Sequence, residues 1–154
     1  MKAVVQRVSR AHVCIDGEMV GQCHEGLMIL LGVAQDDTTD SAQLLAQKIA
    51  KLRIFCDENG KMNRSVTDIG GSALVVSNFT LLADISHGNR PSFTAAGNPE
   101  IANRLYLYFS ELLPTLGIPT QTGRFGADMQ LYIENDGPVT ILLDTEQLMN
   151  TPRR

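Results

Sequence analysis

The chain has no uninterrupted apolar stretch approaching the ~18 residues a membrane-spanning helix needs, so no helical anchor is expected. Its opening, MKAVVQRVSR, alternates polar and apolar residues and lacks both the apolar core and the small-residue cleavage site of a secretory signal. A cytoplasmic location is the corresponding expectation. Basic residues are in deficit: 13 Lys and Arg against 17 Asp and Glu leave a formal net charge of −4. That balance is wrong for a protein that holds nucleic acid mainly by neutralising phosphates, although a local contact stays open. Aromatic residues, 5% of the chain, form no cluster of the kind that stacks single-stranded bases.

Cysteine is scarce as well. Cys14, Cys23 and Cys56 are an odd number without CxxC spacing, which suits reduced thiols in or near a core. Grouping Cys14, Cys23, His24 and His87 produces no zinc-ligand spacing, so neither metal nor other cofactor is expected. The usual signatures of side-chain catalysis are missing: no Gly-x-Ser-x-Gly, no phosphate loop, no His-Glu-x-x-His, no Gly-x-Gly-x-x-Gly after a strand. His12, inside a strand, and His24, at a strand end, read as structural; His87, in a long loop, is the best histidine candidate. Asp84, Asp128 and Asp136 fall near strand ends and serve equally well as turn formers.

What is present fits one domain spanning 1–154: 154 residues, 44% hydrophobic and 19% charged, with no repeat or linker. AVVQRV (3–8) alternates as a half-buried strand, and AHVCIDGEMVGQC (11–23) places Asp16-Gly17 as a hairpin turn, with Cys14 opposite Met19. GLMILLGVA (26–34) is continuously apolar, as expected of the strand at the centre of a sheet covered on both faces. A helix follows with Leu45, Ile49 and Leu52 on one face beside Ala42 and Ala46. DENGKMN (57–63) holds a second hairpin turn, GGSALVVSNFTLLAD (70–84) reads as a strand, and 85–99 as a long loop of the kind that is usually functional or disordered. A second helix runs from about Pro99 to Leu113, with Ile101, Leu105, Tyr108 and Leu112 as its apolar stripe. Two closing strands flank NDGPVT, and about 146–154 read as a flexible tail. The expected fold is therefore mixed α/β and β-rich, with layered sheets and two helices covering one face.

Two segments stand apart. SNFTL (77–81) carries Ser77 and Thr80 at the end of an apolar strand, where they are either site residues or polar residues on a solvent-facing edge. NDGPVT (135–140) reads locally as a hairpin: Asp136-Gly137 suits the turn, and Pro138 is allowed as the first residue of the next strand.

Taken together, in this order, the two segments resemble the paired signature of the D-aminoacyl-tRNA deacylase family, Ser-Gln-x-Thr-Leu and Asn-x-Gly-Pro-Val-Thr. The similarity extends through QRV (6–8), NGKMN (59–63), RPSF (90–93) and TQTGRFGADM (120–129). One position departs: residue 78 is Asn where the family usually has Gln, a side chain one methylene shorter.

The resemblance implies a homodimeric hydrolase of translation quality control. Its members cleave the ester between a D-amino acid and the terminal adenosine of tRNA, with active sites at the subunit interface. It further implies a cis Gly137-Pro138 bond whose two carbonyl oxygens reach into the opposite subunit and accept hydrogen bonds from the substrate's α-ammonium. Main-chain N–H groups of Phe79 and Thr80 would form an oxyanion hole for attack by water. An L side chain would collide with the Gly-Pro wall, whereas glycine would pass. Ser77 and Asn78 would stand with Phe79 and Thr80 as catalytic-site residues, Ser77 shaping the pocket, and Arg7 would steady the Gly-Pro segment; for Arg7 the plain alternative is a surface arginine on an edge strand. Thr80 also invites a nucleophile reading, but the sequence shows no positioned base for it. A contrasting expectation is a dimeric RNA-binding module without catalysis.

Overall fold

The structure, a computed structural model, describes residues 1–150. Strand β1 (Lys2–Ile15) is the spine of a six-stranded sheet and turns through Asp16-Gly17 into β2 (Glu18–Cys23). Both turn residues have positive φ, 49° and 80°, the left-handed pair a two-residue hairpin turn requires. The pairing sets Cys14 opposite Met19, as the sequence predicts.

Strand β3 (Gly26–Gly32) runs antiparallel to β1 and parallel to β6 (Ser72–Ser77), with β7 (Thr120–Thr122) beyond. Its unbroken apolar sequence is explained by two cores. Leu27, Ile29 and Leu31 pack under helix α1 (Thr39–Ala50) and helix α2 (Pro99–Thr115), while Met28 and Leu30 join Val8, Val13, Leu74 and Val76 on the other face. That second core is enclosed because the sheet curls until β2 meets β7. The Gln22 N–H donates to Gln121 Oε1 at 2.9 Å, and Gly21 lies so close to Thr122 that a Cβ would sit 2.5 Å from its carbonyl oxygen. The layering thus comes from one nearly barrel-like sheet, with α1 and α2 on its outer face.

Several boundaries differ from the sequence reading. The stretch expected as one strand over 70–84 ends as a strand at Ser77, and Phe79–Leu82 wind into a 3-10 turn. The buried face of α2 is Ala102, Leu105, Tyr106, Phe109 and Leu113, rotated from the expected stripe so that Ile101 faces solvent. Tyr106 owes its burial to a partner for its hydroxyl, which donates to Val75 O at 3.0 Å. Leu52 lies beyond the end of α1 but still packs on the core. Where a tail was expected, residues Thr145–Asn150 form a short third helix, α3. Buried Thr145 ties it down: its N–H donates to Met1 O at 2.9 Å and its hydroxyl oxygen accepts from the Met1 ammonium at 2.7 Å. The rest of that expected tail lies outside the described residues.

No helix of the described residues is long and apolar enough to cross a membrane. The three thiols are unpaired; burial pushes Cys23 up to about 11, so it stays protonated at neutral pH.

Candidate active site

The long closing strand β8 (Gln130–Asp144) is where the structure departs most from the local reading. NDGPVT is not the turn of a hairpin. Both halves of β8 pair with the same strand, β1: Asn135 opposes Val8 and Thr140 opposes Gln6. Between those pairs β1 has one residue, Arg7, and β8 has four, Asp136 to Val139. The surplus leaves the ladder as a loop. Gly137 stands at φ +138° and the Gly137–Pro138 peptide bond is cis.

The loop is held at both ends. Arg7 Nε donates to Asp136 O at 3.0 Å, and Arg7 Nη1 donates to Ile54 O at 2.8 Å. Asn135 Nδ2 donates to Arg7 O at 3.2 Å and to Val139 O at 2.9 Å, while its Oδ1 accepts from the Val139 N–H at 3.2 Å. None of these bonds uses the carbonyls of Gly137 or Pro138, and both residues are exposed. Arg7 also approaches the carboxylate of Asp136 at 3.4 Å, but that carboxylate is 60% exposed and adds little. Beside Ile54, the hairpin of β4 (Phe55–Cys56) and β5 (Met62–Arg64) is shaped by Asp57. Its carboxylate accepts from Asn63 Nδ2 at 2.8 Å and from the N–H groups of Asn59 and Lys61, and these bonds, Asn63's first, hold it below its ordinary pKa.

Ser77, Asn78 and Phe79 lie elsewhere. They line a cavity of about 1000 Å³ whose walls are otherwise largely apolar, among them Val76, Phe93, Pro99, Phe125 and Met129. Phe79, 56% exposed, meets Phe93 edge to face at 5.0 Å between ring centroids. Among the described residues, Asp128 is the single ionisable side chain on this wall. The Asn78 side chain folds back over the 3-10 turn: its Oδ1 accepts from the Thr80 N–H at 3.3 Å and also from the Thr80 hydroxyl. The Phe79 N–H, first in the turn, has no acceptor within it. The Thr80 hydroxyl is therefore spent on an amide oxygen, and no base among the described residues stands against it.

In one chain the two groups of predicted residues are not brought together. Arg7 is level with Leu27 and Ala73, whereas Ser77 is level with Leu31 and Ala3, four positions along the strands. From β8 to β6 there are three strand spacings. Together these put the Gly-Pro loop roughly 20 Å along the sheet from Ser77. Arg7, Gly137 and Pro138 are absent from the cavity wall. Among the described residues no group of three or more His, Cys, Asp or Glu is arranged to hold a metal ion.

Sequence reasoning assigned no role to Asn135. Its signal was present, since Asn135 opens NDGPVT, but its bond to Arg7 depends on a strand 128 residues away.

An apolar cavity edged by a 3-10 turn, on a nearly barrel-like sheet that extrudes a Gly-Pro loop, marks a small mixed α/β protein. The profile of the D-Tyr-tRNA(Tyr) deacylase family matches residues 4–144, and the chain belongs to that family. It is 57% identical over 145 residues to a D-aminoacyl-tRNA deacylase of Cereibacter sphaeroides, covering 94% of this chain and all of that one. The D-aminoacyl-tRNA deacylase of Deinococcus radiodurans is 56% identical over 144 residues, with 94% and 99% covered. Among solved structures, that of a c-Myc DNA Unwinding Element Binding Protein superposes with TM-score 0.88 at 43% identity, over 94% of this chain and 98% of that one. A probable eukaryotic D-amino acid tRNA deacylase superposes with TM-score 0.79 at 15% identity, over 92% and 97%, a likeness of fold.

Proposed function

We propose that this protein is a D-aminoacyl-tRNA deacylase, a cytoplasmic homodimer that hydrolyses the ester between a D-amino acid and the terminal adenosine of tRNA. The observation that carries the reading is the separation of the two motifs. Segments that the family resemblance assigns to one substrate lie far apart in one chain, and in this reading the Gly-Pro loop serves the cavity of a second copy. The outer edge of β8 supports such an assembly: among the described residues it pairs with β1 alone, and it leaves Leu142 76% and Tyr132 49% exposed.

In this reading the aminoacyl adenosine enters the cavity, and the partner's Gly-Pro loop closes on the α-carbon. The carbonyls of Gly137 and Pro138, left out of the loop's own bonding, accept hydrogen bonds from the α-ammonium. As water attacks the ester carbonyl, charge develops on its oxygen and is met by the Phe79 N–H; the Thr80 N–H joins when Asn78 releases its long bond. Ser77 and Asn78 shape the wall. An L side chain would point into the Gly-Pro loop and be excluded, a D side chain would point outward, and glycine would be accepted. No cofactor is invoked.

The defining experiment compares D-tyrosyl-tRNA with L-tyrosyl-tRNA as substrates of the pure protein, with its mass measured by light scattering at assay concentration. Rapid release from the D ester alone by a dimer is expected. Equal release from both would defeat the chiral filter, and a monomer active at that concentration would remove the shared site. Release from neither would favour the second reading, a non-catalytic nucleic-acid-binding dimer, which the name of the 43% identical DNA unwinding element binding protein keeps in view. Thr80 offers a sharper test of chemistry. Because its hydroxyl donates to Asn78 and meets no base, Thr80→Ala should retain kcat within about threefold. A loss beyond about a thousandfold in a folded variant would point to a covalent intermediate instead.

A further inference from the structure

Asn135 stands where the ladder between β1 and β8 fails. With four residues of β8 facing Arg7 alone, three main-chain groups at the base of the loop lose their ladder partners: the carbonyl of Arg7, and the carbonyl and N–H of Val139. The Asn135 carboxamide supplies all three. Its two N–H bonds go to Arg7 O and Val139 O, and its oxygen accepts from the Val139 N–H. Only an amide side chain offers two donors and an acceptor from one planar group. The side chain thus behaves as an inserted peptide unit that closes the loop on itself and on β1. Half-buried, it is partly protected from competing water.

From this geometry we infer that Asn135, beside Arg7, is a positioning residue of the stereochemical filter: its carboxamide fixes the base of the loop from which the Gly137 and Pro138 carbonyls face the α-ammonium. The inference rests on the proposed function of that carbonyl pair. Asn135 itself touches neither substrate nor reacting atoms. Its loss would let the loop swing about its base while the strands on either side stay paired with β1, at Val8 and at Gln6. Discrimination should suffer more than the fold.

The test uses the full-length protein and two variants, reading the ratio of kcat/KM for D-tyrosyl-tRNA to that for L-tyrosyl-tRNA beside a thermal melt. Asn135→Ala removes all three bonds. Asn135→Asp keeps the shape and the bond from Val139 N–H but turns a carboxylate oxygen toward two carbonyls. At about pH 7.5 both variants should lose at least about tenfold in the ratio while melting cooperatively. Lowering the pH to about 5.5 protonates part of the introduced carboxylate and restores one donor, so the Asn135→Asp variant alone should recover part of its ratio. A residue that merely stabilised the fold would show no such pH-dependent recovery of selectivity. If Asn135→Ala does not melt cooperatively, Asn135→Asp at the lower pH decides. An unchanged ratio in both variants overturns the inference. If Gly137→Ala still impairs the D ester in that case, the reading of the carbonyl pair survives; if it too has no effect, that reading falls with the inference.

Discussion

Gly137→Ala is expected to lower kcat/KM for D-tyrosyl-tRNA by about a hundredfold or more while leaving a folded protein. The backbone at this position stands at φ +138°, a region an L residue rarely enters. An added Cβ would lie 2.8 Å from both Val139 Cγ2 and Val139 N and 3.2 Å from Arg7 Nη2. Two of those three neighbours cannot yield cheaply, because Val139 N is bonded to Asn135 and Arg7 is bonded to Ile54. Backbone strain of about 1–3 kcal/mol would therefore be relieved by moving the loop. Since the proposed role of the loop is to hold two carbonyl oxygens against an ammonium, a displacement near ~1 Å, on the order that costs a hundredfold elsewhere, is enough. The loop is exposed and outside both cores, so the melting temperature should fall by only a few degrees, about what 1–2 kcal/mol produces in a chain of this size. Wild-type turnover by a folded Gly137→Ala protein would show that the loop is not at the site of chemistry.

Arg7→Ala should be the second most damaging change. The guanidinium, with its side chain 12% exposed, spans two segments that no strand pairing among the described residues joins: Asp136 O on one side and Ile54 O on the other. Hydrogen bonds from a charged donor contribute about 1.5–3 kcal/mol when buried. Water can replace part of each here, so a net loss of about 2 kcal/mol is expected in chemical denaturation. Activity on the D ester should drop by about ten- to a hundredfold, more than instability explains, because the loop loses its anchor on the Asp136 side. Arg7→Lys should recover little. A single ammonium cannot reproduce a planar fork that reaches two carbonyls in different directions. Full activity in Arg7→Lys would reduce Arg7 to a general positive charge and remove the bracing role.

How much of this was legible beforehand differs from segment to segment. The α1 face, Ala42, Leu45, Ala46 and Ile49, was readable because helical spacing is local, and the same is true of the Asp16-Gly17 hairpin. Helix α2 was recognisable as a helix, but its stripe was rotated because residues 105–109, LYLYF, are all apolar or aromatic and leave the buried face undefined. Periodicity alone could not choose between Tyr106 and Tyr108; the carbonyl of Val75, which accepts from Tyr106, made the choice. The 3-10 turn at Phe79 was hidden for a related reason. FTLL has strand-forming composition, and the strand stops at Ser77, where the pairing of β6 with β3 runs out opposite Leu31.

The candidate site divides in the same way. Motif order named Arg7, Ser77, Asn78, Phe79, Thr80, Gly137 and Pro138, and the family resemblance implied that the Gly-Pro pair serves the opposite subunit, but only the strand register places the two groups four positions and three strands apart on one chain. The fold back of Asn78 onto Thr80 also follows from contacts that a string of letters does not express.

By itself, then, the sequence determined what short-range sterics and periodic burial determine: the central strand, the two covering helices, the first hairpin, and the identity of the residues in both motifs. Only the tertiary structure decided that NDGPVT is an extruded loop and not a hairpin. A turn's local chemistry is the same in both cases, and the difference lies in whether the flanking strands pair with each other or both with β1, at the opposite end of the chain.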